Sequence, residues 1–124
     1  MIAGLGIDMI EVERVATKIG KEAGFRELVF SEREIAYCEA KTNKYEHYAA
    51  RFAAKEAFYK AIGTGWMNET SFNEIEVIND HKGKPELVLL GKTSEVLART
   101  GIRNIFVSLS HVKTMASAVV IIEK

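Results

Sequence analysis

Arg51-Phe52-Ala53-Ala54-Lys55-Glu56-Ala57-Phe58-Tyr59-Lys60-Ala61-Ile62-Gly63-Thr64-Gly65 is the stretch around which the rest of the chain is organised. Alanine recurs at almost every third position and glycines follow. The stretch therefore reads as the second half of a helix that begins near Lys44 and stops at Gly63. At about 100° per residue, Tyr45, Tyr48, Ala49, Phe52, Ala53 and Tyr59 share one arc, which predicts the core face. Glu56 falls in the middle of that arc and Lys60 near its edge. An ionised carboxylate among aromatic rings costs several kcal/mol unless a charge, hydrogen bonds or a metal answers it. Such a conflict between pattern and chemistry is typical of functional sites. Spaced i, i+4, the same two residues also fit an ordinary surface ion pair worth roughly 0.2–0.5 kcal/mol.

Upstream, Met1 to Ile7 reads as a short buried strand ending at Asp8. Its Gly4-Leu5-Gly6 is not a dinucleotide fingerprint, because Met9 stands where the third glycine belongs. Asp8, where strand gives way to helix, is either an N-cap or a functional carboxylate. Glu11 to Ala23 is an amphipathic helix whose buried face is Val12, Val15, Ala16, Ile19 and Ala23. Arg14, Lys18 and Lys21 line the opposite side as a stripe of three cations, with Phe25 just past the helix end. Ser31 with Glu34 forms a capping box that opens a helix running to about Ala40, and Lys41 to Lys44 is a polar turn.

Downstream, the glycines of Gly63-Thr64-Gly65 can free backbone amides for a phosphate. The period then changes to two. Phe72, Ile75, Val77 and Ile78 mark a strand, Asn79 to Pro85 a turn, and Glu86 to Leu90 a second strand. Ser94 to Thr100 is a short helix ended by Gly101, and Asn104 to Ser110 and Met115 to Glu123 are strands of a hairpin. The expectation is one α+β domain over residues 1–124, with an N-terminal strand, a helical segment and antiparallel C-terminal strands. A small sheet leaves open edges, which makes self-association expected.

With 48% hydrophobic and 27% charged residues, the chain has the composition of a folded domain. Its 17 basic and 17 acidic side chains balance, which argues against a nucleic-acid partner. Cys38 is alone, so neither a disulfide framework nor a cysteine metal knuckle is expected. The start lacks a signal-peptide pattern and no apolar run reaches membrane-span length, so the expected location is cytoplasmic, without a membrane. Two carboxylates, Asp8 and Glu56, with no cysteine cluster favour a hard cation such as Mg²⁺, and Lys60 with the glycine amides suits a phosphate. Ser110 beside His111 lacks the Gly-x-Ser-x-Gly surroundings of a hydrolase nucleophile.

Gly6-Ile7-Asp8 with Glu11 and Arg14, Arg51 to Phe58 with Lys60, Gly63-Thr64-Gly65, Phe72 to Ile78, Gly83-Lys84-Pro85 and Val107-Ser108-Leu109-Ser110-His111 together resemble the holo-acyl-carrier-protein synthases. These are small 4'-phosphopantetheinyl transferases, and the blocks follow their order over nearly the whole chain. The resemblance implies transfer of the 4'-phosphopantetheine arm of coenzyme A to a serine of apo-acyl carrier protein, releasing adenosine 3',5'-bisphosphate, in support of fatty acid biosynthesis. It implies Mg²⁺ and a homotrimer whose sites lie between subunits. It makes Asp8 and Glu56 metal ligands, and Glu56 and Lys60 catalytic. Arg51, Lys60, Gly63, Gly65, Ser110 and His111 would meet coenzyme A. Arg14, Lys18, Lys21 and Phe25 would face the carrier protein. Ala50 departs from the family's usual glycine before Arg51. Two rivals are a coenzyme A or nucleotide sensor without catalysis and a purely structural subunit.

Overall fold

The computed structural model describes residues 1–124. Its axis is the helix α4, Lys44–Ile62, which starts and stops where the sequence places it. Gly63 ends it at φ 95°, a left-sided conformation that favours glycine. The core lies on both sides of this helix. Ala53, Ala57, Phe58 and Tyr59 belong to one cluster with Ile75, Val77, Leu97, Val120 and Ile122, while Tyr48, Ala49 and Ala50 belong to another with Val12, Val15, Phe30 and Cys38.

This corrects the single-arc reading of the helix. Ala50, Ala54, Ala57 and Phe58 lie off the aromatic arc and are buried too, whereas Tyr45, Phe52 and Glu56 on it are only partly covered. A helix buried nearly all round has little amphipathicity, so its pattern points to no unique face. The aromatic arc contains its least covered stripe, and Glu56 and Lys60 lie there, partly covered and half exposed respectively.

Three strands cover one side of α4. β1 (Ile2–Glu11) pairs antiparallel with β5 (Met115–Glu123), and β5 pairs antiparallel with β4 (Asn104–His111). β2 (Ile75–Asn79) and β3 (Pro85–Leu89) form a separate two-stranded sheet, so the strands divide into two sheets. The N-terminal strand runs on past Asp8 to Glu11 because Asp8, Met9 and Ile10 continue the ladder opposite Ala118, Ser117 and Ala116. Asp8 is therefore no N-cap. Gly4 and Gly6 let this strand lie directly on α4: a Cβ on Gly6 would sit 1.9 Å from the carbonyl oxygen of Ala57, and one on Gly4 2.0 Å from that of Ala61. Close packing, and not a nucleotide, is what the glycines serve.

The remaining elements fill in as expected, with shifted ends. α1 is Val12–Lys21, which leaves Ala23 outside the helix and exposed. α2 (Phe25–Val29) is a five-residue helix that the sequence reading missed; Gly24 at φ 84° opens it. α3 (Glu32–Glu39) begins on the expected capping box between Ser31 and Glu34. Phe72 lies in a 3-10 helix, Phe72–Glu74, just before β2, and α5 is Gly91–Ala98.

The sheet's outer face is apolar and uncovered. Leu5, Ile121 and Phe106 form one cross-strand row and Ile7, Val119 and Ser108 the next. Leu5, Ile7 and Met9 are 60–65% exposed and Phe106 50%. No helix is long and apolar enough to cross a membrane.

Candidate active site

The even-numbered residues of β1 face α4, and so Asp8 arrives beside the stripe of the helix that carries Glu56 and Lys60. Lys60 Nζ donates to Asp8 Oδ1 at 3.0 Å and to the carbonyl oxygen of Ile7 at 3.0 Å. Asp8 therefore has a basic partner, contrary to what its sequence surroundings suggest. Glu56 and Lys60 form no ion pair with each other, since Lys60 reaches across to the strand.

Glu56 makes no hydrogen bond within the protein. Burial raises its pKa above the usual carboxylate range, and the negative charge of Asp8 raises it further; Lys60 and Lys18 pull the other way. Asp8, Glu56, Lys60 and Lys18 thus share one electrostatic neighbourhood built from β1, α4 and α1. Two neighbouring carboxylates, one of them free of donors, are the ligand chemistry of a hard divalent cation that keeps waters and phosphate oxygens in its shell. No cluster of three or more histidine, cysteine or acidic side chains surrounds them. The residues present fit such a cation in its partly hydrated form.

A second cluster gathers at the other end of α4. Arg51 is 2% exposed, lies 4.1 Å over the ring of Tyr37, and donates from Nη2 to Asn79 Oδ1 at 2.8 Å. Its Nε is buried with no partner. Asn79 in turn donates to the carbonyl oxygen of Gly83, tying the β2–β3 turn to this arginine. His111 Nδ1 lies 2.9 Å from Glu46 Oε1, and its ring stands edge-on to His47 at 5.0 Å. Tyr37, Glu46, His47 and Asn79 were not singled out in the sequence. Only His47 had a legible signal, standing one helical turn from Arg51.

The structure separates other expected site residues. Ser110 and His111 alternate along β4, so the serine is exposed on the outer face while the histidine faces α4. They are not a nucleophile–base pair. Gly63 and Gly65 sit beyond the C-terminal end of α4, Gly65 within the 3-10 helix Thr64–Glu69, one turn past Lys60 and at the opposite end of the helix from Glu46 and His47. On α1, Arg14 and Lys21 are exposed and Lys18 is partly covered, its Nζ 5.6 Å over the ring of Phe25. None of the three cations has an ion-pair partner.

The buried charge on α4 is Lys55. Its Nζ pairs with Glu34 Oε1 at 2.7 Å and donates to the carbonyl oxygens of Phe72, at 2.9 Å, and Ile75. Glu34 also accepts from the backbone N–H of Ser31 and Val77, each at 2.9 Å. Burial lowers the lysine's pKa, and Glu34 opposes that shift. With all three ammonium protons of Lys55 placed and both carboxylate oxygens of Glu34 accepting, this pair locks α3, α4 and β2 together. It stands one residue from Glu56 and so fixes the helix that presents the candidate ligand.

Comparison with known proteins covers the whole chain. Residues 4–116 match the family model described as the 4'-phosphopantetheinyl transferase superfamily. The holo-[acyl-carrier-protein] synthase of Cytophaga hutchinsonii is 49% identical over 127 residues, covering 100% of this chain and 99% of that protein. That of Geotalea daltonii is 42% identical with both chains fully covered. The crystal structure of the Neisseria meningitidis holo-[acyl-carrier-protein] synthase is similar at a TM-score of 0.89 and 32% identity, with both chains fully covered. The Bacillus anthracis holo-(acyl-carrier-protein) synthase in complex with CoA (3',5'-ADP) matches at a TM-score of 0.81 and 38% identity, over 100% of this chain and 98% of that one. With its full length aligned and its fold shared, the chain belongs to the 4'-phosphopantetheinyl transferase superfamily.

Proposed function

We propose that residues 1–124 form one holo-acyl-carrier-protein synthase domain, which transfers the 4'-phosphopantetheine arm of coenzyme A to a serine of apo-acyl carrier protein. The observation that carries this reading is the contact of Asp8 with Lys60 at 3.0 Å, one helical turn from Glu56, which feels the charges of Asp8, Lys60 and Lys18. In the reaction the serine oxygen forms a bond to the phosphorus that bears the pantetheine arm. The bond from that phosphorus to the nucleotide breaks, and adenosine 3',5'-bisphosphate leaves.

Asp8 and Glu56 would hold Mg²⁺. When bound, the cation supplies positive charge to the phosphoryl oxygens. Lys60, half exposed and held at Asp8, would place its ammonium beside the same oxygens, where charge develops during transfer. Glu56, whose carboxylate no protein donor engages, is a candidate to accept the serine proton. Arg51 and His111, with Lys60, Gly63, Gly65 and Ser110, would meet coenzyme A. Incubation with coenzyme A, Mg²⁺ and apo-acyl carrier protein, followed by intact-mass measurement, tests the whole reading. A carrier protein that gains one phosphopantetheine supports it. Ligand binding with no mass change would leave a sensor, and no binding at all a structural subunit.

The carrier protein would dock on Arg14, Lys18, Lys21 and Phe25. Rim charges act mainly on association and are screened by salt. Reversing Arg14 and Lys21 to glutamate is expected to raise KM for carrier protein about tenfold or more, while coenzyme A binding stays nearly unchanged. Equal weakening of both substrates would assign the stripe to the nucleotide site or to the fold.

The exposed apolar face of the three-stranded sheet supports assembly, since monomers rarely leave so much contiguous apolar surface open. We read it as the core of a homotrimer whose sites lie between subunits, which accords with the two clusters of site residues being separate within one chain. Sedimentation is expected to give a trimer, and a fully active monomer at assay concentration would contradict this. The balance of 17 basic and 17 acidic side chains supports a protein over a nucleic-acid partner, and the location we expect is the cytoplasm.

A further inference from the structure

The cluster around Tyr37 holds a histidine that the proposed reaction has not used. His47 and Arg51 stand one turn apart on α4 and touch the same ring, with His47 edge-on at 5.6 Å and the guanidinium at 4.1 Å. His111 of β4 closes the group from the sheet, its ring centroid 5.0 Å from that of His47. Three nitrogen-bearing side chains from two elements thus converge, and the ring nitrogens of His47 make no hydrogen bond within the protein. Lys41, after α3, adds a second permanent cation beside Arg51, its Nζ 4.7 Å from the Tyr37 ring centroid. Glu46 is the carboxylate of the group, and its Oε1 is engaged by His111.

We propose that His47 is a proton-linked member of a phosphate-reading cluster, becoming charged when the phosphomonoester of coenzyme A binds beside it, His111 and Arg51. The inference rests on the reading that Arg51 and His111 meet the nucleotide end of coenzyme A. Burial, then the charges of His111, Arg51 and Lys41, hold the free His47 below the usual histidine pKa; Glu46 opposes them. A phosphomonoester carries nearly two negative charges at neutral pH. Placed within about 4–6 Å it favours the charged imidazole, which then offers two donors where the neutral ring offers one. Binding near neutrality therefore takes a proton from solvent, and the proton adds to discrimination between coenzyme A and its dephospho form.

The test is calorimetric titration of the full chain near neutral pH in buffers of different ionisation enthalpy, with coenzyme A and with dephospho-coenzyme A. Wild type is expected to bind coenzyme A about tenfold or more tighter and to take up about half a proton or more per site, with little uptake for the dephospho form. His47→Phe keeps an aromatic ring against Tyr37. It is expected to abolish the uptake and weaken coenzyme A about three- to tenfold near neutral pH, leaving dephospho-coenzyme A unmoved. His47→Gln is the second variant, polar and unable to charge, and is expected to lose the uptake as well. If wild type binds the two ligands equally, the assignment of Arg51 and His111 falls and this inference with it. If wild type discriminates but proton uptake persists in both His47 variants, the proton resides elsewhere and His47 has no such role.

Discussion

Asp8→Ala and Glu56→Ala are each expected to lower kcat/KM for phosphopantetheine transfer by about a hundredfold or more, with fold and oligomeric state retained. Glu56 sits on the partly open stripe of α4 and Asp8 beside it on β1, neither in the core, so truncation leaves the packing intact. Stability is expected to move the opposite way. Glu56 has a folded pKa above its ordinary value of 4.5, so the native state holds more protons than the unfolded one over that interval. Its ionisation therefore lowers stability as pH rises from about the ordinary carboxylate value through the raised one, and the loss is complete once the raised value is passed. Glu56→Gln, which removes that charge, is expected to raise Tm by about 2 °C at neutral pH without metal, while transfer is lost. Magnesium ions should stabilise the wild type and leave Glu56→Gln nearly unmoved. Near wild-type turnover by either alanine variant at saturating Mg²⁺ would remove both residues from the metal site.

Lys55→Met is expected to cost about 3–5 kcal/mol of folding stability, read as a lowered midpoint of urea unfolding. The methionine fills the space of the lysine stem, but Glu34 is left as a charge buried at 1% exposure, with two backbone N–H groups and no counter-ion. The carbonyl oxygens of Phe72 and Ile75 lose their donor at the same time. Adding Glu34→Gln should recover a good part of the loss, because the amide removes the charge and its oxygen still accepts a backbone N–H. This coupling distinguishes the ion pair from simple packing. A loss under about 1 kcal/mol from Lys55→Met alone would show that the pair does not hold α4 in place.

Sequence alone determined the parts that rest on local physics. The span of α4 followed from alanine spacing and the Gly63 stop, the start of α3 from the Ser31–Glu34 box, and the C-terminal hairpin from its period of two. It also placed Asp8, Glu56 and Lys60 among the candidate residues, by the conflict of charge with an apolar arc and by resemblance to a family. Only the tertiary structure decided which lysine of the helix is buried. The 100° rule orders faces but not how many are covered, and α4 is packed on nearly all sides, so the fully buried charge is Lys55 and Glu56 stands on the open stripe. The same limit hid Lys60's choice of Asp8 over Glu56, Asn79's hold on Arg51 and the meeting of His47 with His111. Those contacts join residues far apart in the chain, and no short-range pattern encodes them. The sequence placed the strand end at Asp8, and the ladder to β5 carried it three residues further, because backbone pairing with a partner strand outweighs a capping preference.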